Sequence, residues 1–473
     1  MSLTRRSATE LLFDLTTGEL SAAALMQATL SQIERVNPKV NAIVALRDAD
    51  ALMAEATAAD QSRSRGLVHG PLHGLPIAVK DLADVAGIVS SHGSPIFAGH
   101  VPDKDALIAQ RMRDAGAILI GKSNVPEFGL GSHSFNPVYG VTRNPYDLSV
   151  SAGGSSGGAA TALATGMTAL ADGSDMMGSL RNPAAWNNVY GFRPSFGRVP
   201  AEPEGDTFLH QLATHGPMAR SPEDIALLLD VISGADPQQM HGYPVADIAP
   251  LGAVDPKGLR IGWLGDWGGA FAMELGILEL SRDSLRVFED LGCHVEPVAP
   301  PFSADAMWDS WITLRSWSVA MGLAPLMNRK ADLKDTALWE IERGLAYSAV
   351  EVHQASVVRS QWFRAAATLF DRYDALVLPS AQVWPFATEL PYPTEIAGQA
   401  MDTYHRWMQV VVPVSLIGLP SLAMPCGFGA AGLPGGVQIF GPRGGDAPLL
   451  ALGAAYHAAT QWPQKRPALV ESI

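Results

Sequence analysis

Two serine-bearing glycine loops within residues 151–200 constrain this chain more than any other stretch of its sequence. The first loop reads GGSSGG from Gly153 and the second reads GSDMMGS from Gly173, and a connector rich in Ala, Thr and Leu joins them. Glycine lets the backbone adopt strained angles and lets a substrate approach backbone N–H groups closely. The segment therefore predicts serine hydroxyl groups that are exposed and held in place by the surrounding backbone. Two such loops in one segment indicate that serine hydroxyls take part in the chemistry.

A nucleophilic hydroxyl needs a base, and the sequence offers Lys80 upstream of both loops. The apolar run IAV at residues 77–79 predicts a β-strand that carries Lys80 into the interior. An ammonium group is poorly solvated there, so its pKa falls and the neutral amine can take a proton from serine. Taken alone, however, Lys80 beside Asp81 favours the plainer interpretation of an ion pair at a strand end.

Further motifs change that interpretation, because together they resemble the amidase signature family of serine hydrolases. They follow one another along most of the chain: GLPIAVKDL around Lys80, GKSNVPEFGLGS from Gly121, GGSSGG, GSDMMGSLRNPAAWNNVYGFRPSFGRVP, HGPMARSPEDIALLLDVISG from His215 and GLPSLAMPCGF from Gly418. Each motif alone is weak, whereas the ordered set is specific to the family.

The resemblance implies a Ser-Ser-Lys triad, with Ser179 as the nucleophile, Ser155 as the bridging serine and Lys80 as the base. In the implied mechanism neutral Lys80 deprotonates Ser155, which deprotonates Ser179 in turn. The same relay then protonates the leaving amine, and water hydrolyses the acyl-enzyme.

The resemblance also implies an oxyanion hole made of backbone N–H groups just before the nucleophile. In this chain the donors are those of Met176, Met177 and Gly178, together with Ser179 itself. Each donor can contribute about 3 kcal/mol of transition-state stabilisation. Met177 stands where the family usually has glycine, which bears on the size of the acyl pocket more than on catalysis.

Three further residues of the same segment are predicted to support the site: Ser156, Asp175 and Arg181. Asp175 and Arg181 flank the nucleophile and are expected to form an ion pair that holds the turn. A carboxylate near a guanidinium more often makes such a pair than a catalytic dyad.

The chain is expected to be an α/β protein. Strand 259–264, helix 277–291 and strand 293–298 form a βαβ-like pattern, which predicts parallel strands. The resemblance implies a three-layer α/β/α amidase-signature fold with a mixed, mostly parallel central sheet. Residues 1–65 are predicted to form a helical arm on the main domain, which takes up residues 66–473.

A variable region at about residues 300–400 is expected to form the substrate funnel that the resemblance implies. The five tryptophans between residues 300 and 364 have a helical spacing that is typical of a hydrophobic core; they are Trp308, Trp311, Trp317, Trp339 and Trp362. If some of them line the funnel instead, the enzyme would take an apolar or aryl amide.

Composition narrows the choice of partners. The net charge of −14 without a basic block gives no electrostatic support for nucleic-acid or anionic-membrane binding, so we expect a small-molecule amide substrate.

Two cysteines and no clustered Cys/His motif predict no metal site, and no cofactor is expected. Without a signal peptide or a bilayer-length apolar run, the protein is expected to be cytoplasmic and to act alone or as a homodimer.

An α/β-hydrolase-like esterase is one alternative, because both Ser155 and Ser156 satisfy G-x-S-x-G. That motif requires an apolar strand immediately before it, whereas the lead-in RNPYDLS from Arg143 is polar and contains proline. Three histidines that could serve as the base in such an enzyme are expected to be ordinary polar residues: His133, His215 and His405.

The remaining candidate functions belong to different classes. A phosphate-binding loop would need Lys followed by Ser or Thr where Ala159 and Ala160 stand. A glutaminase subunit of a tRNA-dependent amidotransferase fits the motifs and would work with a tRNA-binding partner. A catalytically silent binding protein is disfavoured because Lys80, Ser155 and Ser179 are all present. The Met176-Met177 pair and the Trp-rich region favour a stand-alone amidase.

Overall fold

The structure is a computed structural model that describes residues 2–201, 206–243 and 248–471. The β-strands in these ranges are β1 (Ile43–Val44), β2 (Pro76–Lys80), β3 (Ile118–Ser123), β4 (Phe135–Asn136), β5 (Gly140–Val141), β6 (Leu170–Asp175), β7 (Tyr190–Arg193), β8 (Thr214–Ala219), β9 (Arg260–Trp263), β10 (His294–Pro297), β11 (Ala375–Pro379), β12 (Glu395–Ile396), β13 (Gln399–Ala400), β14 (Ser421–Phe428) and β15 (Pro434–Phe440).

The α-helices in the same ranges are α1 (Ala8–Thr17), α2 (Ala22–Val40), α3 (Ala49–Ser64), α4 (Leu107–Asp114), α5 (Gly157–Thr165), α6 (Arg181–Trp186), α7 (Pro222–Ile232), α8 (Ile277–Asp290), α9 (Ala304–Leu323), α10 (Asp335–Ala346), α11 (Ala349–Leu369), α12 (Val412–Ile417), α13 (Asp446–Thr460) and α14 (Ala468–Glu471). None of these helices combines the length and the hydropathy that a bilayer crossing requires.

The central sheet has eight strands in the order β10-β9-β11-β15-β14-β7-β8-β6. Its β10–β9 and β9–β11 pairs are parallel, as the βαβ-like pattern predicts. Every neighbouring pair from β11 to β6 is antiparallel. The sheet is therefore mixed, as expected, but the prediction of mostly parallel pairing is wrong.

The connections between strands explain part of this pattern, and the order of the strands in the sheet decides the rest. A parallel pair needs a long crossover, which α8 supplies between β9 and β10, whereas a short turn can join only antiparallel strands. β14 and β15 are joined by such a turn through Gly432, and they form a hairpin.

Alternate residues of β11 show that the sheet has helices on both faces. Val377 belongs to one buried cluster, which contains side chains of α7, α8 and α13. Leu376 and Leu378 belong to another, which contains side chains of α9, α11 and α12. Because successive side chains of a strand point to opposite faces, the sheet is the middle layer of an α/β/α arrangement.

The N-terminal helices join the first of these clusters. Ser7 and Glu10 form a reciprocal capping box that starts α1, and the carboxylate of Asp224 in α7 accepts hydrogen bonds of 2.9 Å from the N–H groups of Ala8 and Thr9. Apolar side chains of α1 and α2 are buried with those of β2 and β3. The arm is thus packed on the main body, while a domain boundary at residue 65 stays a prediction.

A smaller sheet carries Lys80 toward the serine loops. Its order is β1-β3-β2, and β2 pairs with β3 in parallel. The backbone N–H of Lys80 donates to Asp172 Oδ1 in β6 over 2.8 Å. The end of β2 therefore meets the strand that leads into the second glycine loop.

Candidate active site

Lys80 lies at the end of β2 with only 1% of its surface exposed. Its Nζ atom is 2.8 Å from Ser155 Oγ and 2.8 Å from Ser156 Oγ. It is also 3.0 Å from Ser174 Oγ, to which the sequence assigned no role. The structure thus brings the predicted base into contact with the predicted bridging serine and with two further hydroxyls.

Burial of Lys80 alters its acid–base chemistry. Desolvation lowers the pKa of Lys80 from its ordinary 10.5 to about 7, although the carboxylates of Asp172 and Asp175 act in the opposite direction. The neutral amine is therefore well populated near pH 7, unlike that of an ordinary lysine. A neutral amine at hydrogen-bond distance from Ser155 can accept its proton.

The first glycine loop has a backbone that requires glycine. Gly153 has a φ of 77°, and a Cβ atom there would lie 3.0 Å from Pro183 Cα. The peptide bond between Gly154 and Ser155 is cis. Helix α5 begins directly afterwards, so Ser155 sits where a tight loop meets a helix.

Asp175 organises the second glycine loop. Its carboxylate accepts hydrogen bonds from the N–H groups of Gly178 over 2.9 Å and of Leu180 over 3.2 Å. It pairs with Arg181 at 3.0 Å, as expected, and also with Arg193 at 3.0 Å. Burial would raise the pKa of Asp175, but these two guanidinium groups hold it well below its usual range. The loop is therefore fixed by a buried, ionised carboxylate.

The backbone N–H groups that are predicted to form the oxyanion hole differ in the hydrogen bonds that they already make. The Gly178 N–H donates to Asp175 Oδ1 over 2.9 Å, and its role as an oxyanion donor stays a prediction. The N–H groups of Met176, Met177 and Ser179 make no hydrogen bond to another described residue. Gly178 also supplies backbone geometry: its φ is 79°, and a Cβ atom would meet Val411 Cγ1 at 3.0 Å.

A cavity of about 250 Å³ is lined by Ser155, Ser174 and Ser179. The Ser156 N–H donates to the Ser179 carbonyl over 3.2 Å, which ties the two loops together. No hydrogen bond joins the described side chains of Ser155 and Ser179. Both residues nevertheless line one cavity, which a substrate carbonyl could enter.

The rest of the cavity wall is mostly apolar. It consists of Leu82, Phe128, Gly129, Leu130, Gly131, Met176, Met177, Ala213, Arg315, Ser318, Val319, Gly322, Leu323 and Met408. Five of these residues belong to α9, inside the predicted funnel region. None of the tryptophans that the sequence highlighted lines the cavity; Trp311 and Trp362 are core residues. Arg315 was missed, although it is the lone basic residue of α9.

The histidines do not form an alternative catalytic base. His133 is buried, with Nδ1 2.7 Å from Ser151 Oγ and Nε2 3.1 Å from the Thr388 carbonyl, and burial lowers its pKa to about 4. Burial also lowers the pKa of His215 to about 4 and that of His405 to about 3. None of the three is in the cavity wall.

The residues that the structure describes contain no group of three or more His, Cys, Asp or Glu side chains that could hold a metal ion. Cys293 and Cys426 are free thiols.

Comparison with known proteins identifies the family of the chain. The family model Amidase matches residues 24–450, so the chain belongs to the amidase family. The chain is 31% identical to an acylamidase of Rhodococcus erythropolis over 467 residues, which cover 98% of this chain and 97% of the relative. It is 32% identical to a glutamyl-tRNA(Gln) amidotransferase subunit of Chloroflexus aurantiacus over 490 residues, covering 96% and 97%.

Solved structures give the same family. A bacterial aryl acylamidase belonging to the amidase signature enzymes family has a TM-score of 0.92 at 29% identity, with 98% of each chain covered. A glutamyl-tRNA(Gln) amidotransferase subunit of Thermotoga maritima has a TM-score of 0.76 at 26% identity, with 99% of this chain and 96% of that chain covered. The expected amidase-signature fold with a mixed central sheet is confirmed, and the protein is an amide-hydrolysing enzyme.

Proposed function

We propose that the protein hydrolyses the C–N bond of a small carboxylic amide through an acyl-enzyme on Ser179. The proposed substrates are apolar or aryl amides. The products are a carboxylate and ammonia or an amine. One observation carries the proposal: Lys80 Nζ lies 2.8 Å from Ser155 Oγ, beside a cavity that Ser179 also lines.

In the proposed first half-reaction, neutral Lys80 accepts the Ser155 proton while Ser155 accepts the proton of Ser179. The freed electron pair of Ser179 Oγ forms a bond to the carbonyl carbon, and the carbonyl oxygen becomes an oxyanion. The N–H groups of Met176, Met177 and Ser179 are the proposed donors to that oxygen. The relay then returns the proton to the amide nitrogen as the C–N bond breaks.

In the second half-reaction, water replaces the amine. The relay takes a proton from water, the hydroxide oxygen bonds to the acyl carbon, and the ester bond to Ser179 breaks. Ser179 regains its proton from Lys80 through Ser155, and the carboxylic acid releases its own proton to solvent and leaves as a carboxylate. Lys80 ends in its neutral form, ready for the next cycle.

The cavity wall supports an apolar or aryl group as part of the substrate. Leu82, Phe128, Met177 and Val319 surround the serines, and Arg315 is the one charged side chain in the described wall. The names of two relatives, an acylamidase and an aryl acylamidase, support the same substrate class.

A glutaminase subunit is the second candidate, because glutamyl-tRNA(Gln) amidotransferase subunits are among the relatives. Free glutamine carries an ammonium group that would need a carboxylate partner. The described cavity wall contains no Asp or Glu, and the TM-score is lower for the Thermotoga maritima subunit than for the aryl acylamidase. We therefore favour a stand-alone amidase.

Turnover of two substrates by the purified protein tests the proposal. We expect release of para-nitroaniline from para-nitroacetanilide, and little ammonia from glutamine. Ser179→Ala should lower kcat by about a thousandfold or more, as loss of a nucleophile does, whereas the exposed-site control Ser149→Ala should retain it. Glutamine turnover that requires a co-purifying partner, or full activity of Ser179→Ala, would contradict the proposal.

A further inference from the structure

A buried arginine contacts the cavity that holds the serines. Arg315 lies on α9 with 4% of its side chain exposed, and it forms part of the cavity wall. Its Nε donates to Glu340 Oε1 over 2.7 Å, and its Nη2 donates to Tyr404 Oη over 2.8 Å. Its Nη1 donates to Met176 Sδ over 3.3 Å.

These three contacts are unequal. A carboxylate and a phenol oxygen are strong acceptors for a guanidinium group, whereas a thioether sulfur is a weak one. A buried donor without a strong acceptor loses the free energy of its hydration. Nη1 is therefore the part of Arg315 that gains most from an oxygen atom entering the cavity.

The neighbours of Arg315 hold its guanidinium group in a fixed position. The buried Glu340 carboxylate also accepts hydrogen bonds from Ser316 Oγ over 2.6 Å and from Tyr404 Oη over 2.8 Å. Although burial acts to raise the pKa of Glu340, the charge of Arg315 keeps it below its usual value. A donor that is oriented before binding loses little conformational freedom when a ligand arrives.

We propose that Arg315 Nη1 binds a neutral oxygen acceptor that the substrate carries away from its scissile amide, such as an ether, ketone or second amide oxygen. This deepens the proposed function and rests on it. Glu340 already neutralises the charge of Arg315, so a neutral acceptor fits better than a carboxylate, which would bring an unpaired charge into the site. Arg315 would thus select among amides that the apolar wall accepts.

Matched substrate pairs test this assignment. Each pair has one para-nitroanilide with an all-carbon acyl chain and one in which an ether oxygen replaces a methylene. In a second set of pairs, the substrates are benzamides, and the ether oxygen replaces a methylene in the amine group instead of the acyl group. We expect at least one ether member to exceed its partner about tenfold in kcat/KM, as for a hydrogen bond to a charged donor. Preference in no pair, or for a carboxylate-bearing analogue instead, would overturn the proposal.

Variants then assign the preference to Arg315. Arg315→Met should bring the paired substrates to within about twofold of each other, whereas the exposed Arg329→Met control should retain the tenfold preference. Because Arg315→Met leaves Glu340 buried without its partner, Arg315→Met/Glu340→Gln serves as a second variant without that unpaired charge. A preference that survives in both variants would overturn the assignment.

Binding without turnover separates this inference from the proposed function. Ser179→Ala, which cannot form the acyl-enzyme, is titrated with the same pairs by calorimetry. Tighter binding of the ether member, lost on adding Arg315→Met, supports the acceptor site even if the wild type hydrolyses none of the amides. Equal binding of both members overturns the acceptor site even if amide hydrolysis is observed.

Discussion

Lowering the pH is expected to slow acylation of Ser179 in a way that reports the ionisation of Lys80. Burial lowers the pKa of Lys80 from 10.5 to about 7. Only the neutral amine can act as base, and this form dominates above the pKa. The acylation rate should therefore be flat above about pH 7 and fall about tenfold for each pH unit below it. An unperturbed lysine would be neutral in only about one molecule in three thousand near pH 7.

The second-order rate of labelling by a fluorophosphonate, followed by intact mass, measures this step without an amide substrate. Lys80→Met should lose both most of the rate and the transition near pH 7. Lys122→Met is the matched control, because Lys122 is equally buried and contacts the Ala83 carbonyl and Ser90 rather than the catalytic serines. A wild-type transition near pH 10, or one near pH 7 that survives in Lys80→Met, would refute the reasoning.

Three further substitutions test how the site is held. Asp175→Asn removes the charge that pairs with Arg181 and should lower the free energy of unfolding in urea by about 3–5 kcal/mol; a loss below about 1 kcal/mol would contradict this. Gly178→Ala places a Cβ atom 3.0 Å from Val411 at a φ of 79° and should slow fluorophosphonate labelling at least about tenfold. Ser221→Ala removes the N-cap of α7 and should cost about 1 kcal/mol in the same urea experiment, with the labelling rate unchanged.

The approach of Lys80 to Ser155 could be predicted from the ordered set of motifs that resembles the family, because that resemblance assigns both residues to one triad. The local pattern gives less: an apolar run before Lys80 predicts a buried strand end and glycines around Ser155 predict a tight loop, but neither pattern brings the two residues together. The predicted pairing of Asp175 with Arg181 is also found, since the two residues lie on one short turn.

The features of the site and the fold that the sequence did not predict depend on contacts between distant segments of the chain. Arg193 reaches Asp175 because β7 and β6 both pair with β8, an order that no local pattern encodes. Arg315 lies on a Trp-rich helix whose pattern indicates core, and only tertiary packing decides which face borders the cavity. The antiparallel majority of the sheet likewise depends on strand order.

The central claim is that Ser179 is the nucleophile, and peptide mapping after fluorophosphonate labelling tests it most directly. We expect the adduct on the peptide that contains Ser179, no adduct in Ser179→Ala, and a much slower reaction in Lys80→Ala. An adduct on Ser155 or Ser156, or labelling that is undiminished in Ser179→Ala, would contradict the account.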